Sequence, residues 1–357
     1  MNIIYIYMLI IWAREAETYP GAWASALMQP IYKGGGKDRP SSVSYRGIYL
    51  LNTVMKLFES IIEARPSKFT ELNDTLNPSQ QGSQITWQTH DAIYAIIATI
   101  QRRSQYGFAS YCCFFDFATA YLSVNRERLD LTVTLENYKI TGHIGHLLKQ
   151  NSRSVRVRDF HALVDRKDEV EILRSLPEGS QLSPTLFGIC VAKLILELRS
   201  KFPLLEFPEI TAIDDLNWIG AFLYVDDMVL IARSPVQLQS MIVACKDWAE
   251  RSRMRMNYEK IEVKMFNETP PQRATRILFP CHITTRFPLS QPPQTLPLKE
   301  PLTFKYFGLT FDPFLIMEAA MKHICRKINA AHEIVTAVAH SLRYDSSATE
   351  RGIKSSP

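Results

Sequence analysis

Residues 222–232 read FLYVDDMVLIA, and the two adjacent acids in that apolar run limit what the chain can fold into. Burying two neighbouring carboxylates is costly unless something positive binds between them. Five apolar residues, counting Ala221, precede Asp226 and Asp227 and five follow. That pattern predicts a β-hairpin with its acids at or near the turn. A third acid, Asp116, ends a second apolar run, YCCFFDF at 111–117, which reads as a buried strand. If the two strands are neighbours in one sheet, three carboxylates converge on one edge. An oxygen-rich, anionic edge of that kind suits two magnesium ions roughly 3.5–4 Å apart, the arrangement that serves in-line phosphoryl transfer. Asp214 and Asp215 form another acid pair but lack the apolar flanks, and read as a solvated loop.

The charge distribution agrees with a site of this type. Lys and Arg number 10 against 8 acids in residues 1–110, 13 against 17 in 111–230, and 18 against 11 in 231–357. An acidic middle between basic flanks suits a protein that gathers acids at one site and holds a polyanion around it. The six cysteines form no CxxC pair. A zinc site or disulfide framework is therefore not expected, and a reducing compartment, cytoplasm or nucleus, fits better. The opening MNIIYIYMLIIW is too short to span a bilayer as a helix and lacks the marks of a secretory signal. It is expected to be a buried edge strand or the start of a truncated frame, with no stable membrane partner.

The remaining patterns order the chain. The Gly34–Gly36 run and Pro40 mark a flexible basic hairpin. Leu50, Leu51, Val54, Leu57, Phe58, Ile61 and Ile62 fall at helical spacing, and Pro66 should end that helix. A second helix is predicted over 89–103. A two-stranded ribbon is predicted over 153–175. Ser183-Pro184 and Ser234-Pro235 both read as a serine cap followed by proline at the first helical position. Residues 269–301 are proline-rich and expected to be irregular. Residues 304–312 read as a strand and 314–343 as helix. Strands and helices mix without regular βαβ alternation, which predicts an α+β fold.

Several of these segments, in order, resemble the blocks of reverse transcriptases from non-LTR (LINE-like) retrotransposons. YVDD in its apolar hairpin looks like the metal-binding block. PIYKGGGKDRPSSVSYRGIYLLNTVMKLFESII resembles the fingers block, FFDFATAYLSV the first palm acid block, and LPEGSQLSPTLF the template–nucleotide block. MRMNYEKIEVKMF resembles the lysine block after the hairpin, and FKYFGLTFD the primer-side strand. The resemblance implies a right-hand polymerase: fingers, a palm built on an antiparallel sheet flanked by helices, and a partial helical thumb. The expected division is an N-terminal segment at 1–20, fingers at 21–110, palm at 111–312 with a ribbon at 150–175 and a Pro-rich insert at 269–301, and thumb and tail at 313–357.

The resemblance also implies roles. Asp116 and Asp226 are metal ligands, with Asp227 as the accessory acid and the Phe117 carbonyl able to face a metal. The cofactor is two Mg²⁺ ions, with Mn²⁺ as a substitute. Tyr121 matches the bulky residue that packs under the sugar and rejects a 2′-hydroxyl. Lys33 and Arg46 match the residues that hold the triphosphate of a deoxynucleoside triphosphate, with Lys37 a competitor on the same loop. Gly179 and Ser180 lie in a tight turn where the backbone can approach a nucleotide. Lys260 fits a general acid that protonates departing pyrophosphate. The expected partners are an RNA template and a DNA primer.

Three positions depart from the family pattern. Glu178 stands where glutamine is usual, and an anion beside a triphosphate needs a partner; Arg46 is the expected one. Leu122 replaces an acid that LINE-like enzymes usually carry. QQGSQITWQT at 80–89 resembles a block usually richer in arginine, which implies a weaker grip on the template. With the short chain, these features fit a truncated or decaying copy. Two other readings therefore stay open: a remnant that binds nucleic acid without polymerising, and a group II intron or retron type of reverse transcriptase.

Overall fold

The computed structural model describes residues 3–72, 79–124, 142–151, 155–159, 170–172, 176–203, 218–278, 281–285, 294–298, 304–306 and 309–311, apart from residues 19, 21, 24, 35, 37, 42, 43, 81, 83–87 and 119. In chain order, helix α1 is Ile3–Glu15, strands β1 and β2 are Ser25–Tyr32 and Tyr45–Leu51, and helices α2 and α3 are Thr53–Leu72 and Thr89–Gln105. Strand β3 is Ser110–Asp116, followed by the short helix α4 (Ala120–Ser123), α5 (Gly142–Asn151), β4 (Val155–Asp159) and β5 (Val170–Ile172). Helix α6 is Ser183–Lys201, β6 is Ala221–Tyr224, β7 is Asp227–Ala232 and α7 is Pro235–Arg251. A 3₁₀ turn at Tyr258–Lys260, β8 (Glu262–Phe266), α8 (Pro270–Leu278) and β9 (His282–Thr285) follow, then β10 (Gln294–Pro297), β11 (Phe304–Tyr306) and β12 (Leu309–Phe311). The chain forms two compact units, Met1–Lys299 and Glu300–Pro357.

The first unit carries the site on an antiparallel sheet of order β6-β7-β3-β8. Every residue of β3 is buried. Tyr111, Cys113 and Phe115 belong to the main core, with Met228 and Leu230 of β7, Leu194 and Ile195 of α6, and Leu238 and Ile242 of α7. Ser110 alternates to the opposite face, where Arg103 of α3 donates to its hydroxyl at 2.9 Å and to the Ala109 carbonyl at 2.6 Å. Helices thus cover both faces, so β3 is a continuous apolar run rather than an alternating one. Burying so many large side chains at roughly 25 cal/mol per Å² makes this sheet the rigid element on which a site can be held. A second sheet, of order β2-β1-β4-β5, is mixed: β1 pairs β2 antiparallel and β4 parallel.

The structure corrects several local expectations. The N-terminal apolar run is a helix, not an edge strand, and its Ile3, Ile4, Tyr5, Tyr7 and Trp12 are exposed. Leu50 and Leu51 close β2, and α2 starts at Thr53 and runs past Pro66 to Leu72. Proline removes only one backbone donor, and the helix is already anchored by buried Met55, Phe58 and Ile62. Ser183 lies inside α6 and donates to the Pro177 carbonyl at 2.9 Å instead of capping. Ser234 does cap α7, accepting from the Gln237 N–H. Within the proline-rich 269–301 region, expected to be irregular, the described residues form α8 and the antiparallel pair β9–β10. Of the strand expected at 304–312, the described residues form two short antiparallel strands, β11 and β12. The predicted helix at 314–343, Asp214–Asp215, Lys37 and Cys325 lie outside the described residues. Among the described residues, no helix is long and apolar enough to cross a membrane.

Candidate active site

Tyr224 and Asp227 pair across the β6–β7 hairpin, which leaves Val225 and Asp226 as its two-residue turn. Val225 has φ +57°. A β-branched residue there costs roughly 1–2 kcal/mol, so the surrounding sheet must hold the turn in place. On the other side of β7, Asp227 stands directly opposite Asp116, the last residue of β3. The hairpin and the separate acid strand are therefore neighbours, and all three acids gather at one end of one sheet.

A cleft of about 610 Å³ opens at that end. Lys33, Arg46, Asp116, Phe117, Tyr121, Glu178, Gly179, Ser180, Asp226 and Lys260 all line it. Asp227 is not among its lining residues. Asp116 is largely buried; its backbone carbonyl accepts from the Asn257 N–H at 3.0 Å, and its Oδ2 accepts from Lys260 Nζ. Its Oδ1 is buried and accepts no hydrogen bond. Burial raises the Asp226 carboxyl above the usual aspartate range, and the nearby Asp116 charge adds to this. Burial, with Asp226 and Asp116 beside it, pushes Asp227 up to about 6. Crowded acids with raised pKa values and an orphaned buried oxygen are the groups a divalent cation would satisfy. Among the described residues, however, no group of three His, Cys, Asp or Glu side chains is gathered tightly enough to hold a metal by itself. Asp116 and Asp226 could hold one only with a backbone carbonyl, water or substrate oxygens completing the shell.

The rest of the cleft is fixed by contacts between the two sheets and α2. The Pro177–Ser180 turn is tied to β2, where the Tyr49 N–H donates to the Glu178 carbonyl at 3.0 Å. Gly179 sits at φ +119°, and a β-carbon there would stand 2.6 Å from the Tyr49 carbonyl oxygen. The Gln181 N–H donates to Glu59 Oε2 of α2 at 3.0 Å. Tyr121 is held by Phe187, ring centroids 5.2 Å apart, and burial raises its phenol to about 12. Arg46 Nε lies 3.5 Å from Glu178 Oε2, so the expected pair forms. Burial raises the Glu178 carboxyl, and Arg46 opposes that rise.

The Lys260–Asp116 pair was not foreseen in the sequence. Its residues are 144 apart, and nothing local signals that the 3₁₀ turn reaches the end of β3. The contacts of Ser79, Gln80 and Gly82 with β6 were also missed, although the glycine in QQGSQ was their available signal.

Acids from two strands at one end of an antiparallel sheet, over a cleft that Lys33 and Arg46 also line, define the palm of a right-hand nucleic-acid polymerase. The family model described as reverse transcriptase (RNA-dependent DNA polymerase) matches residues 33–311. This chain belongs to the reverse transcriptase family. It is 23% identical over 338 residues to the probable RNA-directed DNA polymerase from transposon BS of Drosophila melanogaster, covering 91% of this chain and 33% of that protein. It is 25% identical over 252 residues to the RNA-directed DNA polymerase from mobile element jockey of the same fly, covering 68% of this chain and 25% of that protein. The chain thus spans about a third or less of the length of the curated relatives it matches. Among solved structures, a Candida albicans telomerase in complex with a fragment of telomeric RNA aligns with TM-score 0.49 and 11% identity, over 87% of this chain and 50% of that one.

Proposed function

We propose that this chain is the polymerase portion of a LINE-like element's protein, extending a DNA 3′ end on an RNA template. The observation that carries the reading is the shared cleft: Asp116 and Asp226 line the same space as Lys33, Arg46, Tyr121 and Lys260. Asp116 and Asp226, with the Phe117 carbonyl and Asp227 as accessory acid, would hold two Mg²⁺ ions, or Mn²⁺ in their place. When bound, such ions favour the 3′ alkoxide and stabilise charge on the leaving pyrophosphate. The protein's own groups do the rest. Arg46 binds phosphate oxygens through its forked guanidinium and Lys33 adds a point charge. Tyr121, backed by Phe187, leaves no room for a 2′-hydroxyl. The Gly179–Ser180 backbone lies against the base and sugar. Lys260, paired with Asp116, is the proton source for the departing pyrophosphate. Residues 21–110 serve as fingers and 111–312 as palm.

A primer-extension assay on an RNA template, with and without Mg²⁺, tests this. Extension by the wild-type chain that disappears in Asp226→Asn supports it. Tight RNA binding with no extension favours a remnant that binds without polymerising, a reading to which the Glu178–Arg46 pair lends weight because it engages a triphosphate ligand.

A further inference from the structure

We infer that Gly82 is a positioning residue for the Tyr224–Asp227 turn, and that Ser79, Gln80 and Gly82 brace the peptide leading into Asp226. The inference rests on the polymerase reading above. Leu223 of β6 is held on both backbone groups: its N–H donates to the Ser79 carbonyl at 2.8 Å, and its carbonyl accepts from the Gly82 N–H at 3.3 Å. Gln80 completes a parallel bridge to the same residue. The sheet therefore gains one further rung at its β6 edge, one residue before the turn begins.

Gly82 then meets the turn itself. A β-carbon on it would stand 2.2 Å from the Val225 nitrogen and 2.9 Å from the Tyr224 carbonyl carbon. Both are backbone atoms, so no rotamer change can relieve the contact. Val225 is already in the left-handed region, which leaves the turn little room to yield. Asp116, by contrast, is fixed from elsewhere, by β3 between β7 and β8. A methyl at 82 must therefore move Asp226 relative to Asp116. A displacement of about 1 Å in such a pair can cost about 100-fold in rate. Gln80 and Gly82, from the stretch that the sequence suggested for template grip, are placed by these contacts behind the catalytic turn.

The test is Gly82→Ala in the full chain, with Gly107→Ala as the control. Gly107, unlike Gly82, has positive φ, +76°, and open space around it. Gly82→Ala is expected to lower kcat for primer extension by at least tenfold, with KM for nucleotide within about twofold, and to weaken Mn²⁺ binding in calorimetry without nucleic acid. Gly107→Ala should lose stability and keep both kcat and Mn²⁺ affinity. Wild-type kcat and Mn²⁺ affinity in Gly82→Ala would overturn the inference, as would equal losses in both variants. If Gly82→Ala does not fold, Gly82→Ala in a Val225→Gly background decides: glycine at 225 removes the Val225 Cγ2 contact at 3.0 Å and lets the left-handed turn yield. Mn²⁺ binding weaker than in Val225→Gly alone then supports the brace, and equal binding overturns it. Failure of the polymerase reading is distinguishable: a wild-type chain that binds Mn²⁺ but extends nothing sinks that reading alone, and one that does neither sinks both.

Discussion

Glu178→Gln measures how strongly the cleft's own anion restrains nucleotide entry. In the folded chain Arg46 Nε lies 3.5 Å from Glu178 Oε2, so a triphosphate that uses Arg46 must displace or share that partner. Coulomb's law puts such a pair at about 1 kcal/mol in water and about 5 kcal/mol at an effective dielectric of about 20. The Arg46 side chain is 63% exposed, which places the pair at the weak end, about 0–1 kcal/mol. Removing the charge should lower KM for deoxynucleotide by up to about fivefold, since about 1.4 kcal/mol is tenfold. The value of kcat should hardly change, because in the wild type the ion pair is broken when nucleotide binds, before chemistry, and the variant has none to break. Steady-state single-nucleotide extension gives both constants. The KM ratio should be larger at about 0.01 M salt, where the screening length is about 30 Å, than at 0.15 M, where it is about 8 Å. An unchanged or raised KM in Glu178→Gln, or a ratio insensitive to salt, would refute the reasoning.

Asp227 gives a pH signature in metal-free protein. Its carboxyl is raised from 3.8 to about 6, so the folded state keeps a proton that the unfolded state gives up across that window. Stability should therefore fall as pH rises from about 4 to about 6, and Asp227→Asn should flatten that part of the profile in urea titrations with chelator present. Mg²⁺ should recover stability at pH 7 in the wild type more than in the variant, by thermal melting. Tyr121→Ala, which removes the ring held against Phe187, should raise ribonucleotide incorporation relative to deoxynucleotide at least tenfold in competitive extension, and a ratio that stays put would return Tyr121 to an ordinary packing role.

The elements that were readable from sequence are those with a local period or a local contradiction. Asp226 and Asp227 contradict an apolar run, and the β6–β7 hairpin is where that contradiction is resolved. The α3 stripe of Ala92, Ile93, Ile96, Ile97 and Ile100 repeats at helical spacing, and all but the half-buried Ile97 are buried. The N-terminal run misled because a uniformly apolar segment has no period, so it can form strand or helix equally well. In the described part of 269–301, prolines at the start of α8 and the end of β10 misled because they mark boundaries rather than irregularity. Lys260 reaching Asp116 and Gly82 reaching Val225 depend on which strands become neighbours. No window of sequence contains that information.

The parallel pairing of β1 with β4 sets the order in which a nascent chain can mature. Leu27 aligns with Arg158, while Ser110–Asp116, lying between them in sequence, waits for partners at 227–232 and 262–266. Neither sheet can close before translation has passed well beyond the opening strand of the other. Non-local pairing of this kind folds slowly and leaves strand edges unprotected meanwhile. A ribosome that stalls before residue 220 would release a product whose β3 has neither neighbour, a clear target for chaperones and proteases.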